Sequence, residues 1–174
     1  MPAPETSTPL VVLGAVLALG ASSPALAQAA CTADLDRDGC FDEVFPGCHG
    51  VCHVSHVSDY DDADYVRRVC DHVIASVEAA GTVGRVVLTS SIAAVMSEVD
   101  LQEYVRRPVF HEDRFPDEQN PKRTAAKGQG YSIGKVIAER AFAEAAARSG
   151  RWDAITVCPG DNVGPILSAH QKDR

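Results

Sequence analysis

The stretch RVVLTSS, at residues 85–91, decides the fold class of this 174-residue chain. It opens with a nearly continuous apolar and β-branched run, which is typical of a strand that is buried on both faces of a parallel sheet. Two further short runs have the same character, GVCHVS at residues 50–55 and AITVC at residues 154–158. The sequence therefore predicts three strands of a parallel sheet.

Two helical patterns separate these strands. The first follows the acidic stretch at residues 59–62, which offers N-caps, and ends before Gly81, a candidate C-cap. Its apolar residues recur at helical spacing at Val66, Val69, Cys70, Val73 and Val77. The second helix is predicted from Tyr131 to Ser149, after a long polar loop over residues 98–130. Alternating strands and helices predict an α/β fold with a parallel sheet and flanking helices.

Length, composition and charge narrow the functional class. A chain of 174 residues predicts a single domain, and a hydrophobic fraction of 45% excludes a fully disordered protein. The 24 acidic residues against 16 basic ones give a net charge of −8, which argues against binding to nucleic acid. No apolar run reaches the roughly 18 residues of a membrane span. We expect neither nucleic-acid nor membrane partners, and composition does not indicate the oligomeric state.

Residues 1–30 differ in composition from residues 31–174, which we take as the folded domain. The apolar run at residues 10–21, followed by Ala25-Leu26-Ala27, is typical of a signal peptide and its cleavage site. The preceding residues include Glu5 and no Lys or Arg, whereas a signal peptide begins with positive charge. Two interpretations stay open, a signal peptide or a disordered start that leads into a buried strand or helix.

Three patterns between residues 31 and 70 are candidates for metal or disulfide sites. Five of the six cysteines lie here, and they would pair as disulfides in an exported protein or stay reduced in the cytoplasm. The sequence CHGVCH, at residues 48–53, has three residues between its cysteines where haem attachment needs two. DLDRDG, at residues 34–39, resembles the start of a calcium loop, but Phe45 replaces the bidentate Glu. We expect no metal, and an acidic turn that opens a short helix.

The motif Tyr131-Ser132-Ile133-Gly134-Lys135 is the strongest chemical feature. Residues four apart lie on the same face of a helix, and an ammonium group beside a phenol favours the ionised form, so that the phenol exchanges protons more readily. Ser90-Ser91 and the sequence PGDNVGP, at residues 159–165, each follow a predicted strand. Ligands of α/β sheets bind at the carboxyl ends of strands, so the three segments predict a shared site.

From about Ala33 to Pro165 the chain resembles the extended short-chain dehydrogenase/reductases of the NAD-dependent epimerase/dehydratase superfamily. The similarity is greatest to the dihydroflavonol reductase and cinnamoyl-CoA reductase-like branch. It is carried, in the family's order, by ADLDRDGCFDEVFPGCHGVCHVSHV, VVLTSSIAAV, YSIGKVIAERAF and CPGDNVGP. The resemblance implies a Rossmann-like domain that is partial. The stretch at residues 11–20 lacks the family's three-glycine spacing, and the family's substrate-binding portion would follow residue 174.

What the resemblance implies is hydride transfer between a nicotinamide cofactor, NADP or NAD, and a small-molecule carbonyl or alcohol. Tyr131 would act as general acid, and Lys135 would favour its phenolate form and hold the nicotinamide ribose. Ser91 would bind the substrate oxygen, in preference to Ser90. The resemblance also implies a cytoplasmic protein, unless residues 1–27 are a signal peptide that directs secretion.

Four further residues are implied as cofactor contacts. Val54 and Ser55 would lie beside the adenosine half, and Pro159 and Val163 would lie near the nicotinamide. Two other functions stay open at this point. In the first, the chain is a catalytically inactive relative that serves as a binding module. In the second, it is an exported domain that carries calcium or disulfides.

Overall fold

The computed structural model describes residues 16–19, 34–54, 57, 59–96 and 130–161. They form four strands and three helices, which we number in chain order: β1 Val16–Leu19, β2 Gly50–His53, α1 Ala63–Ala80, β3 Arg85–Thr89, α2 Ile92–Val95, α3 Gly130–Ser149 and β4 Asp153–Val157. The strand order in the sheet is β1-β2-β3-β4. The predicted strands and both predicted long helices are confirmed to within three residues at each end, whereas most of residues 1–33 and the loop at residues 97–129 lie outside the described ranges.

The strands β2, β3 and β4 are parallel, as predicted. Val51 lies opposite Val86, and Val87 lies opposite Ile155. β1 runs antiparallel to β2, so β1 itself is not the parallel strand that the resemblance predicts before β2. An antiparallel neighbour needs no crossover helix, and residues 34–49 before β2 form turns.

The helix α1 begins and ends where its sequence predicts. The Asp62 carboxylate accepts a hydrogen bond from the Tyr65 backbone N–H at 2.9 Å, and this satisfies an amide of the first turn. Gly81 ends the helix in the left-handed region at φ 65°, which glycine adopts without a steric penalty. All five residues of the predicted stripe are buried: Val66, Val69, Cys70, Val73 and Val77.

The acidic stretch forms turns instead of the short helix that we expected. The Asp34 carboxylate accepts a hydrogen bond from the Asp36 amide, which closes a local turn. Phe45, at the position where a calcium loop needs Glu, is fully buried and stacks on Phe41 with ring centroids 4.9 Å apart. Core packing of these rings therefore holds the segment. In the ranges given above, no three His, Cys, Asp or Glu side chains converge to hold a metal ion. The cysteines of these ranges are free thiols: Cys40, Cys48, Cys52, Cys70 and Cys158.

One buried cluster joins the sheet to α1 and α3. From the sheet it contains Val51, Val86 and Leu88, and from α3 it contains Phe142 at no measurable exposure. The other side of the sheet carries Ile155 and is more open. Neither long helix of the described ranges combines the length and apolarity needed to cross a bilayer.

Candidate active site

The carboxyl ends of the three parallel strands meet at one edge of the sheet. The Ser90 amide, just after β3, donates to the Val157 carbonyl at 2.8 Å, and the Ile92 amide donates to the Pro159 carbonyl at 2.9 Å. Val54 follows β2 and is half exposed. Two predicted cofactor contacts, Val54 and Pro159, therefore lie at this edge. Ser55 and Val163 lie outside the described residues.

The first turns of α3 pack against the same edge. Lys135 is buried, and its Nζ donates to the Thr89 carbonyl, the last of β3, at 3.2 Å. Ser132 Oγ donates to the Ala93 carbonyl in α2 at 2.6 Å. The first bond fixes the start of α3 relative to the end of β3, and the second fixes it relative to α2, which follows β3.

Tyr131 and Lys135 lie together at this start of α3, in the arrangement that their spacing predicts. Lys135 Nζ is 5.6 Å from the centroid of the Tyr131 ring. The Tyr131 side chain is 37% exposed, whereas Lys135 is 7% exposed. A partly exposed tyrosine side chain therefore lies beside an ammonium group that is enclosed by protein.

The two adjacent serines have different environments. Ser91 is the N-cap of α2, where its Oγ accepts a hydrogen bond from the Ala93 amide at 3.2 Å, and it is only partly buried. Ser90 is buried, and its hydroxyl donates to the Glu139 carboxyl group. Of the two serines, Ser91 is thus the more accessible to solvent.

Burial lowers the pKa of Lys135 below its usual value. Cys70, Glu139 and Cys158 act in the opposite direction. Burial also raises the pKa of Cys70 to about 12 and that of Cys158 to about 11, so both thiols are neutral near pH 7. Glu139 is therefore the group among these three that can favour the ammonium form there.

Three residues of the site were missed in the sequence. Glu139 lies eight residues after Tyr131, so extending the four-residue spacing by one step would have found it. Tyr60 lies in the β2–α1 connection, where no motif points to it. Its ring centroid is 4.8 Å from that of Tyr131. His53 is buried at the end of β2 against the Phe142 ring, and its Nδ1 has no hydrogen-bond partner among the described residues.

The His53 imidazole is neutral at physiological pH. Burial, and then the nearby Lys135 charge, lower its pKa from 6.5 to about 4. The edge therefore brings together a half-open phenol, a buried ammonium, a neutral imidazole and a capping serine. The parallel strands β2, β3 and β4, with helices packed on the sheet and this group of side chains at their carboxyl ends, are typical of the Rossmann-like class of α/β proteins.

Comparison with known proteins narrows this class. The chain is 35% identical over 144 residues to the dihydroflavonol 4-reductase of Hordeum vulgare, and 35% identical over 144 residues to that of Zea mays. It is 31% identical over 142 residues to the bifunctional dihydroflavonol 4-reductase/flavanone 4-reductase of Pyrus communis. The match to the barley enzyme covers 79% of this chain and 39% of the relative, so the chain spans about two fifths of that length. No protein-family model matches the chain.

Solved structures agree with the fold. Vestitone reductase from alfalfa has a TM-score of 0.60 at 19% identity, over 80% of this chain and 46% of that structure. Gre2 from Candida albicans, in complex with NADPH, has a TM-score of 0.61 at 19% identity, over 79% of this chain and 44% of that structure. The chain is thus a homologue of the dihydroflavonol 4-reductases over 79% of its own length, and it shares the fold of the two solved reductases.

Proposed function

We propose that the carboxyl-edge site reduces a small-molecule carbonyl, or oxidises the corresponding alcohol, by hydride transfer with NADP. The observation that carries the proposal is the buried Lys135 ammonium, held between the Thr89 carbonyl and the Tyr131 ring. The relatives named above support it, because their names describe reductases. The Candida albicans neighbour, solved with NADPH, supports NADP as the cofactor. These relatives favour a reductase over a binding module or an exported calcium or disulfide domain.

Proton transfer is assigned to Tyr131. Its exposure would let the phenol reach the oxygen of a bound carbonyl, and the Lys135 ammonium lies beside its ring, 5.6 Å from the centroid. Ser91 would donate its hydroxyl to the same oxygen, since Ser90 is engaged with Glu139. The proton would thus move from the Tyr131 hydroxyl to the substrate oxygen as that oxygen gains negative charge.

The donors at the edge fit the nicotinamide-ribose end of a dinucleotide. A bound nicotinamide cofactor would supply the hydride. The Lys135 ammonium has three N–H donors, of which the Thr89 carbonyl accepts one, and the remainder could bond ribose hydroxyls. Val54 and Pro159 would flank the cofactor, and the same role is proposed for Ser55 and Val163.

Calorimetric titration of the 174-residue chain with NADPH tests the proposal. We expect saturable binding in the wild type, and Lys135→Ala should weaken it about tenfold, the loss of one charge-assisted hydrogen bond. Arg148→Ala is the matched control, because it also removes a cation from α3 but at an exposed position. No heat of binding from a sample with the circular dichroism and cooperative melting of a folded protein would overturn the proposal.

A further inference from the structure

We propose that Tyr60 is a positioning residue of this site, whose ring holds Lys135 and Tyr131 in register for proton transfer. The proposal rests on the function proposed above. Tyr60 belongs to the β2–α1 connection, so it would also link the proton-transfer pair to the strand end that carries Val54.

The ring of Tyr60 touches both members of the pair. It meets the Tyr131 ring edge to face, with centroids 4.8 Å apart and planes at 72°. Lys135 Nζ is 5.6 Å from the Tyr60 centroid, the same distance as from the Tyr131 centroid. Edge-to-face rings attract each other, and a cation within about 6 Å of a ring face is stabilised by it. One ring thus fixes the spacing of the other two groups.

Two glycines let this ring reach α3. A Cβ at Gly134 would come within 2.5 Å of Tyr60 Cδ1, and a Cβ at Gly130 would overlap the Asp61 side chain. The glycines are four residues apart, so they lie on the same face of the helix. The Tyr60-Asp61 segment therefore packs directly on the α3 backbone, at the residue just before each member of the pair.

The segment that carries Tyr60 is itself tied down. The Tyr60 hydroxyl forms a hydrogen bond with the Val57 backbone, and the Asp61 amide donates to the Asp59 carboxylate at 2.8 Å. Burial raises the pKa of Tyr60 to about 12, so this phenol is a weaker acid than an ordinary tyrosine and gives up its proton less readily. Its contribution is therefore geometric and electrostatic.

In a variant that lacks the Tyr60 ring, a change in the pH titration of the Lys135 ammonium can be attributed to loss of that ring. The groups that face its ammonium from the surrounding elements are His53, Tyr60, Cys70, the Thr89 carbonyl, Tyr131, Glu139 and Cys158. Near pH 7 the imidazole and both thiols are neutral. Because the ring face stabilises the ammonium form, its loss should lower the pKa of Lys135 further and move the basic limb of the rate profile to lower pH.

The test compares Tyr60→Leu, which removes the ring, with Tyr60→Phe, which removes only the hydroxyl. Tyr65→Leu is the matched control, since it makes the same replacement at a tyrosine whose ring packs on Arg68 of α1. Each variant of the 174-residue chain is measured for NADPH binding and for kcat and KM of NADPH-dependent carbonyl reduction as a function of pH. The pH titration of the Lys135 side chain is followed by ¹³Cε NMR. The chain has few lysines, and Lys135→Arg assigns the signal.

We expect Tyr60→Leu to lower kcat about tenfold and to shift the Lys135 titration to lower pH, whereas Tyr60→Phe and Tyr65→Leu stay near the wild type. If Tyr60→Leu does not fold, Gly134→Ala displaces the ring by overlap and should give the same losses. An unchanged kcat and Lys135 titration in a folded Tyr60→Leu overturns the proposal, as does an equal loss in Tyr60→Phe.

The two proposals fail separately. If the wild type binds no NADPH, the proposed function fails, and the Lys135 titration still decides whether the Tyr60 ring acts on the ammonium group. A titration that moves in Tyr60→Leu and not in Tyr60→Phe supports that action, and one that does not move refutes it.

Discussion

The Ser90 hydroxyl donates a hydrogen bond to the Glu139 carboxyl group, and both side chains are buried. The bond joins the end of β3 to α3, one helical turn beyond Lys135. Cys158 Sγ lies 3.5 Å from the same carboxyl oxygen. Ser90 therefore belongs to the support beneath the site, while its neighbour Ser91 caps α2 at the site's surface.

Substitution of these two serines should separate stability from activity. In Ser90→Ala the buried Glu139 carboxyl loses its hydroxyl partner, so the free energy of unfolding should fall by about 1 to 3 kcal/mol. Urea unfolding followed by circular dichroism measures this. Ser91→Ala removes only the cap of a four-residue helix, so its stability should fall by about 1 kcal/mol or less while kcat drops. A Ser90→Ala variant that is as stable as the wild type would contradict this assignment.

Tyr131→Phe should remove proton transfer without disturbing the packing. Its ring keeps the edge-to-face contact with Tyr60, since only the hydroxyl is lost. We expect kcat of carbonyl reduction to fall about 100-fold or more, with NADPH affinity and melting temperature near those of the wild type. The measurement is steady-state NADPH oxidation with a saturating carbonyl substrate, using Tyr65→Phe as the control. Retention of kcat in Tyr131→Phe would assign the proton to another group.

Much of the fold could be predicted because its elements are locally encoded. The apolar stripe from Val66 to Val77 and the glycine at position 81 specify α1, and the run at residues 85–89 specifies β3. The direction of β1 could not be predicted, because a short apolar run pairs either way and the choice depends on how the chain returns to β2. The acidic turn at residues 34–39 was expected, whereas the turns that replace the short helix after it were missed, because stacking of Phe41 on Phe45 could not be inferred from the sequence pattern.

The site was predictable where its spacing is local. Tyr131 and Lys135 are four residues apart on one helix, and Ser91 is the second residue after an apolar strand. Tyr60 and His53 come from β2 and its connection to α1, and only folding brings them beside α3. Neither the sequence spacing nor the charge pattern carries that information. The roles assigned to all the predicted catalytic and cofactor-contacting residues, Ser55 and Val163 among them, stay predictions.

Glu78 should be a main anchor of the α3–β4 connection. Its carboxylate accepts a hydrogen bond from Trp152 Nε1 at 2.7 Å and pairs with Arg151. Trp152 is 5% exposed and is the one tryptophan of the sequence, so its fluorescence reports on this anchor.

Glu78→Leu leaves the buried indole N–H without an acceptor and should cost about 1 to 3 kcal/mol of unfolding free energy. Glu78→Gln keeps an acceptor oxygen and should cost less. Guanidinium unfolding, followed by tryptophan emission, measures both variants. Equal losses in Glu78→Leu and Glu78→Gln would assign the anchor to the Arg151 ion pair instead of the indole bond.

His53 should make the stability of the fold depend on pH between about 4 and 6.5, the range between its folded pKa of about 4 and its ordinary value of 6.5. Because the folded pKa is lowered, the unfolded chain binds the proton more readily. The contribution of His53 is therefore complete above pH 6.5 and is lost as the pH falls towards 4. A shift of about 2.5 units corresponds to about 3 kcal/mol at most.

Urea unfolding at several pH values tests this, with His53→Leu compared with the wild type. Leucine does not titrate and leaves no unpartnered nitrogen, so the fall in stability towards pH 4 should be shallower in His53→Leu. His49→Leu is the matched control, because it makes the same replacement at an exposed position just before β2. Parallel curves for His53→Leu and the wild type would show that the His53 imidazole takes up its proton equally in the folded and unfolded chain.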